Sequence, residues 1–170
     1  MSRIQPLTNP TGKAAELLGM VQKKMGRVPN MMSTLANSPA ALEMYLTMSG
    51  LLGGSSLSAQ DRERLALLAA KKNACGYCEK AHTAIGKHAG LSEQEISSAK
   101  DGVAQDARAQ ALLAFSAAVL EKKGHVSDSE FAAAKQAGLS DAEILDVVAT
   151  TCLNIYTNYV NHVADPVVDF

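Results

Sequence analysis

The chain has 170 residues, 47% of them hydrophobic, and its 16 Lys and Arg against 17 Asp and Glu leave a net charge of −1. That length supports one good core and predicts a single domain over residues 1–170; the apolar content is too high for disorder, and the balanced charge gives no basic surface to hold nucleic acid or anionic lipid. Three cysteines are too few, and too odd in number, for a disulfide scaffold, so a Cys-x-x-Cys pair reads as redox chemistry or metal binding rather than as a staple.

No alternating run rich in β-branched residues reads as a strand, and punctuation by Gly, Pro, Ser and Asp divides the chain into helices, so the expected fold is all-α. The first ten residues carry no apolar leader or cleavage site, and no apolar run approaches the roughly 18 residues of a membrane span; the expected location is the cytoplasm. A first helix is predicted from Thr11 to Met25, with Ala14, Leu17, Leu18 and Val21 on one face and Gly26 as its stop. A short turn over Asn30 to Leu35 follows Pro29, and Ser38-Pro39 then opens a helix to about Leu52, with Ser as cap and Pro at the first position. These N-terminal helices occupy about 11–52. Gly53-Gly54-Ser55-Ser56 breaks the chain, and Ser58 with Asp61 three residues on caps a helix running through Leu65 to Ala70 and on to Asn73. A further helix runs from Gly76 to Ala89 and stops at Gly90, so the span of about 58–89 holds two helices.

The C-terminal helices, about 92–163, open on a phrase that recurs: Ala89-Gly-Leu-Ser-Glu-Gln-Glu-Ile96 returns as Ala137-Gly-Leu-Ser-Asp-Ala-Glu-Ile144. In both, Gly ends one helix and Ser caps the next, the mark either of a duplicated helical hairpin or of a shared stop-and-cap signal. Ala107 to Lys123 reads as an Ala/Leu-rich helix, Asp128 to Gln136 as a short one, and Asp141 to Val163 as the longest. The last carries a polar stripe of Asn154, Asn158 and Asn161, expected to be a solvated face unless it lines a cavity or a subunit contact.

The candidate chemistry is concentrated in Cys75-Gly-Tyr-Cys78-Glu-Lys-Ala-His82. At about 100° per residue, positions 75, 78 and 82 fall within an arc of roughly 60° on a helix. A Cys-x-x-Cys pair can alternate between dithiol and disulfide, and a neighbouring imidazole can take the proton a thiol must lose to become a nucleophile. Zinc is the rival reading: Cys-x2-Cys-x3-His supplies three ligands, with Cys152 or His88 as a fourth, although no second Cys/His pair completes a structural site of the usual spacing. Cys152 stands in an Ala/Thr/Leu-rich stretch and is expected in the core. His125 and His162 read as surface or packing residues. On the preceding helix, if Asp61, Arg64, Lys71 and Lys72 define the wet face, Glu63 and Arg62 turn toward the buried side. Glu63 is then either paired, with Arg62 or another Arg, or poised as a proton carrier.

Taken together, Glu63-x11-Cys75-x2-Cys78-x3-His82 with Tyr77 between the thiols resembles the signature of the alkylhydroperoxidase D-like (AhpD-like) branch of the carboxymuconolactone decarboxylase family. The phrases Gly26-Arg-Val-Pro-Asn30, Ser38-Pro39-Ala-Ala-Leu42 and Ala137 to Ile144 are similar to that family as well, so the likeness covers roughly residues 20–163. The resemblance implies a helical bundle built around a helical hairpin, assembled as a homo-oligomer, trimer or hexamer, with no bound cofactor or metal. It implies a thiol-dependent peroxidase in which Glu63 and His82 draw the proton from Cys78, the nucleophile that attacks a hydroperoxide. Cys75 then resolves the intermediate as a Cys75–Cys78 disulfide, which an external dithiol protein reduces. The founding enzyme has a histidine where this chain has Tyr77, which leaves Tyr77 an auxiliary hydrogen-bond donor at most. The decarboxylase branch lacks the cysteine pair, which sets decarboxylation aside. Two alternatives remain open: a disulfide reductase or adaptor that passes electrons to a separate peroxidase, and a non-enzymatic zinc-binding or redox-sensing helical module.

Overall fold

Leu65 to Ala70 is the most deeply buried stretch of the chain, and the other helices are arranged around it. The computed structural model describes residues 2–170, and among these it contains nine α-helices and no strand. In chain order they are α1 (Gly12–Met25), α2 (Asn30–Leu35), α3 (Pro39–Leu52), α4 (Ala59–Lys72), α5 (Gly76–His88), α6 (Glu93–Lys100), α7 (Ala107–Glu121), α8 (Asp128–Gln136) and α9 (Asp141–Ala164). The all-α expectation therefore holds, and the limits given for the other helices agree with the Gly, Pro and Ser punctuation to within two residues, while the turn expected over Asn30 to Leu35 is the short helix α2.

The central element is α4, which packs against α5, α6, α7 and α9. Its apolar run is covered on every side, so each face feeds a different cluster. Ala70 joins Leu17, Leu18, Val21, Leu35 and Leu42 of the N-terminal helices, together with Cys75, Tyr77 and Cys78. Leu65 and Leu68 pack with Leu112, Leu113, Phe115, Ile144 and Val147 of α7 and α9. Leu67 meets Leu91, Ile96 and Ala99 at α6. A fully buried leucine stabilises the fold by about 1.5–3 kcal/mol, so this one helix anchors three sides of the structure.

One part of the expected wet face of α4 is not wet. Asp61 is buried, because its carboxylate accepts from Ser58 Oγ at 2.7 Å and pairs with Arg64 at 3.0 Å and Arg108 at 2.9 Å. Arg64 continues to Glu95 on α6 at 2.9 Å, and Arg108 continues to Glu143 on α9. A carboxylate with two guanidinium partners tolerates burial that an isolated one does not. The network ties α4, α6, α7 and α9 together at one end of the bundle.

The repeated phrase has a common local cause. Gly90 (φ 92°) and Gly138 (φ 88°) both take the left-handed conformation that ends a helix. Ser92 with Glu95, and Ser140 with Glu143, then form complete capping boxes. Ser127 with Glu130 forms a third box at the start of α8, outside the repeat. The shared stop-and-cap signal is thus sufficient to account for the repeat at the level of backbone chemistry.

Candidate active site

The connection from α4 to α5 decides where the two thiols sit. Asn73 ends α4, Ala74 takes φ 54°, and Cys75 occupies the extended N-cap position of α5. A left-handed alanine costs about 1–2 kcal/mol, but it folds α5 back onto α4 within two residues, and Cys75 N–H closes the turn by donating to Ala70 O at 2.8 Å. Only Cys78 and His82 lie on the helix proper. Cys75 precedes it, and its sulfur curls back to accept the N–H of Cys78 at 3.3 Å. The two cysteines are joined as a disulfide, with Cα atoms 5.3 Å apart, and both are buried. The sulfurs thus sit at the positive end of the α5 dipole, which favours thiolate when the bond is reduced.

Glu63, near the start of α4, faces α5 as its helical position predicted. Its partner is a histidine rather than an arginine: Glu63 Oε2 lies 2.8 Å from His82 Nδ1, and the two side chains are only 15% and 20% exposed. Arg62 is committed elsewhere, donating to Leu57 O. A carboxylate can only accept, so the contact fixes the imidazole proton on Nδ1 and leaves the lone pair on Nε2. That is the tautomer a general base requires, and among the described residues Nε2 has no hydrogen-bond partner.

Two cavities meet at this pair. A narrow one of about 50 Å³ is lined by Cys78, His82, Met31, Met32 and Asn161. A larger one of about 290 Å³ holds Glu63, Arg62, Thr150 and Asn154, and shares His82, Tyr45 and Met32 with the first. Tyr45, which no sequence motif marked, stands at the junction. Burial, reinforced by the negative charge of Glu63 and partly offset by a hydrogen bond with Ser49, pushes its hydroxyl up to about 12. It is therefore a neutral donor throughout the physiological range.

Tyr77 lies between the thiols in sequence, but its hydroxyl bonds to other parts of the chain. The phenol donates to Asp169 Oδ1 at 2.7 Å and accepts the N–H of Met31 at 3.2 Å. Burial pushes its ionisation well above the ordinary tyrosine value, and the Asp169 carboxylate adds to this. Asp169 also accepts the N–H of Asn30 and pairs with Arg27, while Phe170 packs edge-on against the Tyr77 ring and under the Arg27 guanidinium. Tyr77 thus fastens α5 to the start of α2 and to the segment after α9.

Several expectations are corrected here. The asparagine stripe of α9 is not solvated: Asn154, Asn158 and Asn161 are 6%, 0% and 5% exposed. Asn158 Oδ1 accepts from Asn73 Nδ2 at 2.8 Å, on the turn before Cys75, and Asn161 Nδ2 donates to Cys78 Sγ at 3.2 Å. The stripe therefore grips the cysteine motif on both sides. Cys152 is exposed rather than in the core. His125 and His162 are exposed, and His88 Nδ1 contacts its own helix at Ala84 O. Among the described residues no group of three or more His, Cys, Asp or Glu side chains is gathered as a metal-binding set, and no helix is long and apolar enough to cross a membrane.

Comparison with known proteins gives three findings. The model of the carboxymuconolactone decarboxylase family matches residues 39–121, from the start of α3 to the end of α7. No curated protein is matched by sequence. Among solved structures, a peroxidase-related protein from Silicibacter sp. TM1040 superposes with a TM-score of 0.84 at 24% identity, over 98% of this chain and 93% of that one. A peroxidase-related protein with an alkylhydroperoxidase AhpD core, from Ralstonia eutropha JMP134, gives 0.82 at 23% identity over 99% and 92%. The debrominase Bmp8, solved as a Cys-to-Ala variant with 2,3,4-tribromopyrrole, gives 0.83 at 14% identity over 99% and 92%. At such identities these likenesses establish the shared fold.

Proposed function

Because this chain belongs to the carboxymuconolactone decarboxylase family and joins Cys75 to Cys78 beside a histidine oriented by Glu63, we propose that it is a thiol-dependent peroxidase. The observation that carries the reading is that Cys78 and His82 line one cavity while His82 Nδ1 is held by Glu63 at 2.8 Å. His82 Nε2 takes the Cys78 proton, and the thiolate attacks the terminal oxygen of a hydroperoxide. The S–O bond forms as the O–O bond breaks, giving Cys78 sulfenic acid and an alkoxide that recovers the proton from His82 as alcohol. Cys75 then attacks the sulfenic sulfur, water leaves, and the disulfide forms. An external dithiol protein reduces it by thiol–disulfide exchange, which places the cycle in a reducing compartment such as the cytoplasm. The hydroperoxide carries the two-electron oxidising equivalent and the dithiol returns it, so the scheme uses no bound cofactor.

Cys78 rather than Cys75 is the attacking sulfur because Cys78 lines the narrow cavity. The test is to oxidise reduced protein with hydrogen peroxide and with an organic hydroperoxide, and to map the thiols. Wild type should form the Cys75–Cys78 bond with Cys152 free; Cys75→Ser should stop at a trappable sulfenic acid on Cys78; Cys78→Ser should be inert. A sulfenic acid trapped on Cys75, or no consumption of any hydroperoxide, overturns the assignment. Exchange with a dithiol protein and delivery of its electrons to a separate peroxidase, with no peroxide consumed by this chain, would identify an adaptor instead.

Assembly as a homo-oligomer, trimer or hexamer, belongs to the same proposal. An apolar groove of about 450 Å³ between α2, α3 and α9 is bordered by Leu35, Tyr156 and Val160, and Tyr159 and Val163 stand exposed beside it, the kind of surface a subunit contact covers. Sedimentation showing only an 18 kDa species would contradict it.

A further inference from the structure

Asn161 touches the reacting sulfur, and nothing in the Cys-x-x-Cys motif accounts for it. It lies on the sixth turn of α9, is 5% exposed, and lines the cavity that holds Cys78 and His82. Its Nδ2 is 3.2 Å from Cys78 Sγ and 3.4 Å from Met31 Sδ. Neither sulfur carries a proton, since one is a disulfide sulfur and the other a thioether, so both can only accept. This fixes the amide orientation: its two N–H groups face the two sulfurs. The remaining atom, Oδ1, is buried and without a hydrogen-bond partner among the described residues. A buried acceptor left unpaired is costly, and an unpaired polar atom on a residue that lines the narrow cavity next to the nucleophile has a natural partner in a donor on the substrate.

We propose that Asn161 is a catalytic residue that works with both ends of its amide. In the reduced protein Nδ2–H donates to the Cys78 thiolate, favouring the charged sulfur, and Oδ1 accepts the O–H of the bound hydroperoxide. A hydroperoxide carries its only hydroxyl proton on the terminal oxygen, the one the thiolate attacks. A single amide that holds the thiolate through nitrogen and the O–H through oxygen brings the two reacting atoms together. As the S–O bond forms and the O–O bond breaks, that proton stays on the transferred oxygen, giving the sulfenic acid, while His82 protonates the departing alkoxide. The proposal rests on the peroxidase reading for its second half only.

The experiment separates the halves. In a Cys75→Ser, Cys152→Ser background, the ionisation of Cys78 is followed by the pH dependence of its alkylation rate, with no peroxide present. Asn161→Leu and the smaller Asn161→Ala should each raise the Cys78 pKa by about one unit or more, the effect of losing a hydrogen bond to a charged sulfur. Thr151→Val, on the same helix as Asn161, removes the buried 2.8 Å contact of Thr151 with Ser116 on α7, and should lower the melting temperature and leave the Cys78 pKa in place. The rate of a single oxidation by hydroperoxide is then measured well above the thiol pKa, where every variant is fully thiolate. The Asn161 variants should still be slower by roughly three- to thirtyfold, as expected for a lost substrate hydrogen bond. An unmoved pKa in the folded variants overturns the donor role, and equal rates at high pH overturn the acceptor role. If wild type reacts with no hydroperoxide while the pKa shift is present, the peroxidase reading fails and the donor role stands.

Discussion

Replacing Glu63 by Gln changes one atom of the relay and reverses its polarity. In the native site the carboxylate accepts from His82 Nδ1 at 2.8 Å, which leaves Nε2 free to act as the base of the proposed relay. A glutamine can present its amide N–H to Nδ1 instead, and the imidazole proton then moves to Nε2, where it blocks proton uptake from Cys78. Exchanging a charge-assisted hydrogen bond, about 1.5–3 kcal/mol, for a neutral one of about 1 kcal/mol costs about 0.5–2 kcal/mol. The wrong tautomer adds to it. We expect Glu63→Gln to slow Cys78 oxidation by roughly ten- to a hundredfold, and His82→Gln, which removes the base altogether, by roughly a hundred- to a thousandfold. Because both act through one proton transfer, the double variant should resemble His82→Gln alone rather than the product of the two. The assay is stopped-flow loss of the Cys78 thiol at fixed hydroperoxide, in a Cys152→Ser background, across pH. Raising the pH past the ordinary thiol value of about 8.5 should restore all three variants as Cys78 ionises unaided. Multiplicative losses with an unchanged pH profile would mean that Glu63 is only a packing partner of His82, and the relay would be wrong.

Tyr77→Phe should act on stability and spare the chemistry: it strips Met31 N–H of its acceptor and Asp169 of a donor, at a cost of about 1–3 kcal/mol. Calorimetry should show a melting temperature lower by roughly 2–10 °C with turnover within a few fold, and an unchanged melting temperature would refute the anchoring role. Acid stability should be governed in part by Glu143, held at about 2 by the backbone N–H of Ser140, by Arg108 and by the Ser140 hydroxyl. Its folded value lies below the ordinary 4.5, so the stabilisation is complete above about 4.5 and is lost as the pH falls toward about 2. Urea titrations over that window should show a steep acid limb that Glu143→Gln flattens.

The helices and their limits were legible because each end carries its own chemistry: Ser92, Ser127 and Ser140 cap, and Gly26, Gly90 and Gly138 stop. Glu63 was legible in orientation, since helical phase placed it on the inner side of α4, but its partner was not, because a tertiary contact with His82 has no signature in local sequence. Asp61 and the α9 asparagines were misread for one reason. A polar residue is assigned to water by default, and whether a buried partner exists depends on which helices meet: Arg108 comes from α7, and Cys78 from a turn of chain more than 80 residues away from Asn161. Cys152 was misread in the opposite direction, since an Ala/Thr/Leu-rich stretch is apolar in composition while one of its faces remains open to solvent.

The inner face of α9 poses the sharper question of why a helix packed on α3, α4, α5 and α7 should bury Thr150, Asn154, Thr157, Asn158 and Asn161 where leucine or valine would stabilise the core more. Some of these atoms are unsatisfied: Thr150 Oγ1, Asn158 Nδ2 and Asn161 Oδ1 have no hydrogen-bond partner among the described residues. Each such atom forfeits about 1–3 kcal/mol relative to a paired one, so selection for stability alone would have removed them; local rules are broken in this way where function requires it. Thr150 provides the test, because valine matches its shape and lacks only the hydroxyl, and because it lines the cavity of Glu63 and His82. If the unpaired hydroxyl is retained for a molecule that occupies that cavity, Thr150→Val should raise stability by about 1 kcal/mol, a melting temperature roughly 2–4 °C higher, while weakening saturation by hydroperoxide so that KM rises and the limiting rate is preserved. If Thr150→Val instead lowers the melting temperature with KM unchanged, the hydroxyl is part of the packing, and the polar stripe owes its place to the fold rather than to the site.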